Sequence, residues 1–234
     1  MIGINSEQES EWLANRESLF KQYVPEIRQM ARNQGNKVPE WSEVNEQRAR
    51  FMEAFPKDSD LLIFAYGSLL WNPLLRFSHQ YHALLKNYHR RFCLDMTYLR
   101  GSPETPGLMM ALDNGGECEG LCYRIPASLV DEELHILWTR ECCLNTYIPA
   151  WVEPEIEGLD SSLPCLTFVV NHDSPRYIHQ LSEHKTVEKI RTAVGQFGSN
   201  RDYFDNTLAH LREMGIHDEK LESLDKALQE TQKA

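Results

Sequence analysis

Three stretches of the sequence combine chemistry-bearing residues with apolar frames. The first is Tyr66-Gly67-Ser68-Leu69, inside the apolar run Leu62–Trp71. A glycine just after a strand lets the backbone turn sharply and brings N–H groups close to a ligand. Serine adds a hydroxyl that donates and accepts. The same four residues also fit an ordinary strand-to-loop exit. The second stretch is LWTRECCLNTY, with Arg140 and Glu141 at the end of an apolar helix. A carboxylate there is paired with an arginine or placed for proton transfer, because glutamate is rarely buried alone. The plainer alternative is a surface Arg–Glu pair. The third stretch, RRFCLDMTYLRGSPETPG, sets Arg90, Arg91 and Arg100 close to two Pro/Gly turns. A cation after a long strand suits a carboxylate ligand.

Other chemistries lack a sequence warrant. Nine histidines are present, but none stands in H-E-x-x-H or at zinc-finger spacing to a cysteine pair. His79 and His82, three apart, fall in a segment that reads as loop. There is no G-x-G-x-x-G and no G-x-x-x-x-G-K-[ST], so no dinucleotide or ATP fingerprint. Ser68 follows Gly67 but precedes Leu69-Leu70, which is not a nucleophile elbow. The expectation is therefore no metal and no cofactor. The net charge of −11 argues against a nucleic-acid partner, which needs clustered Lys and Arg, and against an anionic membrane surface. A small anionic substrate remains compatible with one local cationic site. Oligomeric state is not readable.

The elements that must position these residues fall into two groups. Residues 1–57 read as a helical N-terminal extension. Ser6-Glu7-Gln8-Glu9 is a capping-box pattern. Trp12, Leu13, Leu19, Phe20, Tyr23, Val24, Ile27, Met30 and Ala31 then follow one helical face up to Gly35. A second helix begins near Ser42. Residues 58–234 read as the main domain. Leu61–Tyr66 and Leu85–Met96 are strands. Leu108–Leu112 and Gly120–Ile125 are predicted as a hairpin around Asp113-Asn114-Gly115-Gly116. Leu129–Arg140 is helical, and Ala150–Ile156 and Pro164–Val170 are strands. Helices follow through Val187–Val194, from near Asn200 to Gly215, and from near Asp218. Strands first and helices later give an α+β class on a mostly antiparallel sheet or barrel.

The six cysteines, Cys93, Cys118, Cys122, Cys142, Cys143 and Cys165, sit mostly in apolar segments and make a poor disulfide framework. They are expected to be buried reduced thiols. The N-terminus lacks a basic stretch followed by an apolar one, and no apolar run reaches the roughly 18 residues a membrane helix needs. The expected compartment is the cytosol.

Taken in order, FAYGSLLWNP, RRFCL, RGSPETPG, GLCYRIP, LWTRE, YIPAW, the SPRY segment and GQFGSNRDYF resemble one family, the ChaC-type gamma-glutamylcyclotransferases. The resemblance runs from about Leu61 to Leu228. The family pattern often has Gly where this chain has Ala65. The resemblance implies a small barrel-like, mostly antiparallel sheet with flanking helices, and cleavage of glutathione into 5-oxoproline and cysteinylglycine without a cofactor. It implies that Glu141 is the acid/base. It further implies that Ala65, Tyr66, Gly67, Ser68 and Leu69 form the turn that holds the gamma-glutamyl group. Tyr177 looks like a further substrate contact on the same resemblance, and Arg100, read above as a cation suited to a carboxylate, is a further candidate contact. Other gamma-glutamyl amino acids or amines as substrates, and a non-catalytic gamma-glutamyl-binding module, remain alternatives.

The implied reaction explains the missing motifs. The substrate's α-amino group attacks its own side-chain carbonyl, so the nucleophile is not on the protein. The protein must fold the substrate into attack geometry, move protons with one carboxylate, and offer donors to the oxyanion.

Overall fold

A computed structural model describes residues 6–159 and 162–230, with side chains from residue 11 onward. The first elements are helices: α1 (Ser6–Ser18), a π-helical turn at Leu19–Tyr23, α2 (Val24–Asn33) and α3 (Trp41–Met52). The sequence suggests one continuous helix up to Gly35. The π turn interrupts it just before Pro25, a residue that lacks an N–H and crowds the carbonyl four positions back. The capping-box reading at Ser6–Glu9 falls on side chains outside the described residues. Helix α3 has its own box, with the Glu40 carboxylate taking the Glu43 N–H and the Glu43 carboxylate taking the Glu40 N–H.

The strands are β1 (Leu61–Ala65), β2 (His79–Met96), β3 (Gly107–Ile125), β4 (Tyr147–Val152), β5 (Glu155–Ile156) and β6 (Cys165–Val170). Helix α4 (Val130–Glu141) separates β3 from β4. Helix α5 (Glu183–Thr192), the short β7 (Val194–Gly195) and β8 (Gly198–Ser199), α6 (Asn200–Glu213) and α7 (Glu219–Glu230) complete the chain.

The chain divides into two compact units. Residues 1–85 and 120–171 form the first, and residues 86–119 and 172–234 the second. Strands β2 and β3 each run through the boundary. In the first unit β1 is fully buried. It pairs antiparallel with β3 (Ala65 opposite Leu121) and parallel with β6 (Leu62 opposite Cys165). Strand β6 pairs antiparallel with β4, and β5 with β2. The second unit packs α5, α6 and α7 through Val187, Ile190, Phe204, Leu208, Leu211, Leu221 and Leu228.

The strand order β4-β6-β1-β3-β2-β5 corrects the expected mostly antiparallel sheet closed into a small barrel. The sheet is a six-stranded mixed sheet. The β1–β6 pair is parallel, and among the described residues no ladder joins the edge strands β4 and β5. Pro149 and Pro154 remove N–H donors in and just after β4, and β5 is only two residues long. The predicted hairpin at Asp113–Gly116 is also corrected. Gly115 and Gly116 take left-handed φ values of 94° and 71°, yet β3 continues through them as one strand. Two left-handed glycines inside a strand kink it without ending it. His79 and His82, read as loop, lie on β2.

Candidate active site

The site in the first unit begins at the end of β1. Ala65 is buried, and Tyr66 leaves the strand with its hydroxyl donating to the Phe168 carbonyl of β6 at 2.9 Å. One residue earlier on β6, the Thr167 hydroxyl donates to the Phe64 carbonyl of β1 at 2.9 Å. On the far side of the turn the buried Tyr123 hydroxyl sits 3.1 and 3.0 Å from the Leu69 and Leu70 carbonyls. The Leu70 N–H closes onto the Gly67 carbonyl and the Asn72 N–H onto that of Ser68. The turn is therefore held from both sides by tyrosines. Tyr66, a substrate contact on the family resemblance, has its hydroxyl anchored to β6. Tyr123 and Thr167 were missed, because each is one polar residue in an apolar strand and carries no motif.

The turn offers donors. Among the described residues, the N–H groups of Gly67, Ser68 and Leu69 have no acceptor. An added Cβ at Gly67 would meet nothing within 4 Å, so neither packing nor a left-handed φ demands glycine there. The space a side chain would take at Gly67 is open. Gly120 is the reverse case. A Cβ there would stand 2.3 Å from the Ala65 carbonyl and 2.8 Å from the Phe64 ring. Its absence lets β3 approach the strand end that carries the turn.

Helix α4 supplies the carboxylate. Its apolar residues Leu134, Leu137 and Trp138 are buried, and its last residue is Glu141. The Glu141 side chain is 15% exposed and makes no hydrogen bond among the described residues. Burial pushes its carboxyl pKa above the ordinary glutamate range, and the Arg140 guanidinium opposes that shift without cancelling it. The negative end of the helix acts in the same direction as burial.

Arg140 ties the two parts together. Its Nη1 donates to the Asn72 and Pro73 carbonyls at 2.8 and 2.9 Å, and its Nη2 to the Ser68 Oγ at 3.4 Å. Its Nε stands 3.5 Å from Glu141 Oε1. One guanidinium thus touches the turn and the carboxylate. The motif R-E marked this arginine, but its bridging role is set by the loop after the turn. Cys142, beside Glu141, is buried, and burial and the Glu141 charge hold its thiol well above its usual pKa. A thiolate nucleophile is disfavoured there. All six cysteines are free and buried.

Arg100 and Tyr177 belong to the second unit. Arg100 Nη1 donates to the Ser199 carbonyl at the start of α6. Tyr177 donates to Asp113 Oδ2 at 2.9 Å and lies between the rings of His172 and His179. Asp113 also accepts from His172 Nε2 and Arg91 Nη1, each at 2.8 Å. Although burial alone would raise it, donors from His172, Arg91, Tyr177 and the Asn114 N–H hold the Asp113 carboxyl down at about 2. Arg90 pairs instead with Asp218 at 3.2 Å. The Asp113 cluster was hidden in the sequence because Asp-Asn-Gly-Gly reads as a turn.

The sequence model of one protein family, ChaC-like protein, matches residues 61–231, and the chain belongs to that family. It is 33% identical over 183 residues to the glutathione-specific gamma-glutamylcyclotransferase of Escherichia coli K12, covering 76% of this chain and 79% of that one. It is 32% identical over 157 residues to the human glutathione-specific gamma-glutamylcyclotransferase 1, covering 64% and 70%. A crystal structure of a yeast gamma-glutamylcyclotransferase specific to glutathione superposes with a TM-score of 0.65. It shares 21% identity and covers 74% of this chain and 96% of the yeast chain. That likeness supports the α+β fold.

Proposed function

We propose that the protein is a gamma-glutamylcyclotransferase that cleaves glutathione to 5-oxoproline and cysteinylglycine, a lyase reaction that uses no cofactor. The observation that carries this reading is Arg140, which holds a row of free N–H donors and a buried carboxylate of raised pKa in one assembly. The names of the E. coli and human relatives support the choice of substrate. Residues Ala65 to Leu69 form the gamma-glutamyl cradle in this reading. Tyr177 is carried over as a substrate contact on the family resemblance, and Arg100 as a cation near two Pro/Gly turns after a long strand.

The chemistry follows from the groups present. Glu141, ionised, takes a proton from the substrate α-ammonium. The freed amine attacks the gamma carbonyl carbon, a C–N bond forms, and the oxyanion meets the N–H groups of Gly67, Ser68 and Leu69. The bond to the cysteine nitrogen breaks as that nitrogen receives the proton from Glu141. A second proton passes by the same route from the ring nitrogen, so the amine departs as its ammonium form and no net proton is consumed. A raised carboxyl pKa brings Glu141 nearer to the operating pH for both directions of transfer. Holding amine and carbonyl together contributes on the order of 7–11 kcal/mol to lowering the barrier.

The place of action in this reading is the reducing cytosol, where free buried thiols persist. No helix among the described residues is long and apolar enough to cross a membrane. The test is to incubate purified protein with glutathione, gamma-glutamyl-alanine and gamma-glutamyl-lysine and to measure 5-oxoproline. Release from glutathione alone is the expected result. Release only from the others replaces the substrate, and no release from any of them points to a binding module.

A further inference from the structure

The helices before β1 lie outside the residues matched by the family, 61–231. They meet α4 along its whole length. Near its start, Arg16 of α1 puts Nη1 3.0 Å from both carboxylate oxygens of the buried Glu133 and Nη2 3.0 Å from Glu132. In the middle, the Phe20 ring stacks on His135 and Phe51 packs on Trp138. Beyond its end, Arg28 of α2 donates to the Cys143 carbonyl at 2.8 Å.

Arg28 is the unusual member of this set. It is 3% exposed, yet it makes no ion pair among the described residues. Its guanidinium has the Cys143 carbonyl, the Pro39 carbonyl at 2.6 Å and the face of Trp41 at 4.1 Å. A buried cation is costly unless its hydrogen bonds are met. Here two carbonyls and a ring meet them, and one of those carbonyls belongs to the turn two residues after Glu141. The Cys143 carbonyl lies one residue past the C-cap Cys142, beside the negative end of α4, where a cation is favoured, so Arg28 ties down the turn that follows the helix. The turn continues through the Asn145 N–H to the Cys142 carbonyl, with Asn145 at a left-handed φ of 55°.

We propose that Arg28 is a positioning residue for Glu141: by holding the Cys143 carbonyl, it sets the direction in which the last residue of α4 presents its carboxylate and so keeps that carboxylate in its buried place. The inference rests on the acid/base reading of Glu141. Arg28 acts through the backbone. The cation that opposes the effect of burial on the Glu141 carboxyl is Arg140.

The experiment uses the full chain and four variants, with 5-oxoproline release from glutathione followed across pH. Arg28→Met is expected to lose roughly tenfold or more in kcat with KM within about twofold, since small misplacements of a reacting group are costly. Its acid limb moves to lower pH, because a hydrated Glu141 ionises more easily. Arg28→Lys, which keeps one donor, recovers part of both. Leu228→Ala, a core deletion in α7, lowers the melting temperature and keeps the wild-type kcat and acid limb. An unchanged kcat and acid limb in Arg28→Met, or an equal loss in Leu228→Ala, overturns the proposal. If Arg28→Met does not fold, Arg28→Lys decides: wild-type kcat and acid limb overturn the proposal. Glu141→Gln runs alongside. If it keeps the wild-type rate, the acid/base reading fails and this inference falls with it. If it is inactive while Arg28→Met behaves as wild type, only this inference fails.

Discussion

Arg140 Nε stands 3.5 Å from Glu141 Oε1, a contact between neighbours in sequence that a helix does not ordinarily bring face to face. The geometry exists because the other guanidinium nitrogens are held by the Asn72 and Pro73 carbonyls and the Ser68 hydroxyl. Removing that cation in Arg140→Met lets the Glu141 pKa rise further, so the acid limb of kcat/KM moves to higher pH. The direction is opposite to that expected for Arg28→Met. The same variant loses the tie to the turn, so KM rises. A pH–rate profile with the acid limb unmoved contradicts the pairing.

Glu141→Gln keeps the shape and removes the proton carrier. Its kcat is expected to fall by about 10²- to 10⁴-fold. Its stability moves the other way. The folded-state pKa of Glu141 is raised, so the native state is favoured while the group is protonated and loses that advantage as pH rises through the folded pKa. At neutral pH the Gln variant should melt at or above the wild-type temperature, and the gap should close below the ordinary glutamate pKa. Paired melting curves at acid and neutral pH measure this.

Two glycines separate room for a ligand from room for the fold. Gly67→Ala fills open space, so the melting temperature should hold while KM for glutathione rises several-fold. Gly120→Ala drives a methyl group against the Ala65 carbonyl and the Phe64 ring, and should cost about 1–3 kcal/mol of stability. Denaturant unfolding and steady-state kinetics on both variants check the contrast. A Gly67→Ala protein as destabilised as Gly120→Ala would remove the reason for reading a cradle there.

Asp113 is a structural acid in the second unit. Its folded pKa of about 2 lies below the ordinary aspartate value, so its stabilisation is present above that ordinary value and is lost as pH falls toward 2. The shift corresponds to on the order of 2 kcal/mol. Asp113→Asn should therefore be less stable at pH 7, and the difference from wild type should shrink between about pH 4 and 2. Equal unfolding midpoints at neutral pH would show that its donors find other partners.

The parts of the site legible in the sequence are those whose chemistry is local. Glu141 stood out as an acid ending an apolar helix, and Tyr66-Gly67-Ser68-Leu69 as a polar turn ending an apolar strand. Contacts made by distant chain were not legible. Tyr123 and Thr167 anchor the strand end and turn through backbone carbonyls far away in sequence, and Arg28 reaches Cys143 from a helix that carries no motif. The sheet failed for a related reason. A strand's alternation reports which face is buried but not which way its neighbour runs, so the parallel β1–β6 pair was invisible. Gly115-Gly116 misled because a pair of left-handed residues suits a hairpin and a strand kink equally well.

The parallel pairing of β1 with β6 also bears on biosynthesis. Tyr66 is tied to Phe168, 102 residues later, and Phe64 to Thr167, 103 residues later. Pairings of such long range form late and slowly, after a large loop has closed. As the chain emerges from the ribosome, the glycine turn is made early but stays unanchored on one side until β6 has followed it out. Any truncation before Phe168 therefore leaves the turn without its anchor, however complete the motif looks on paper.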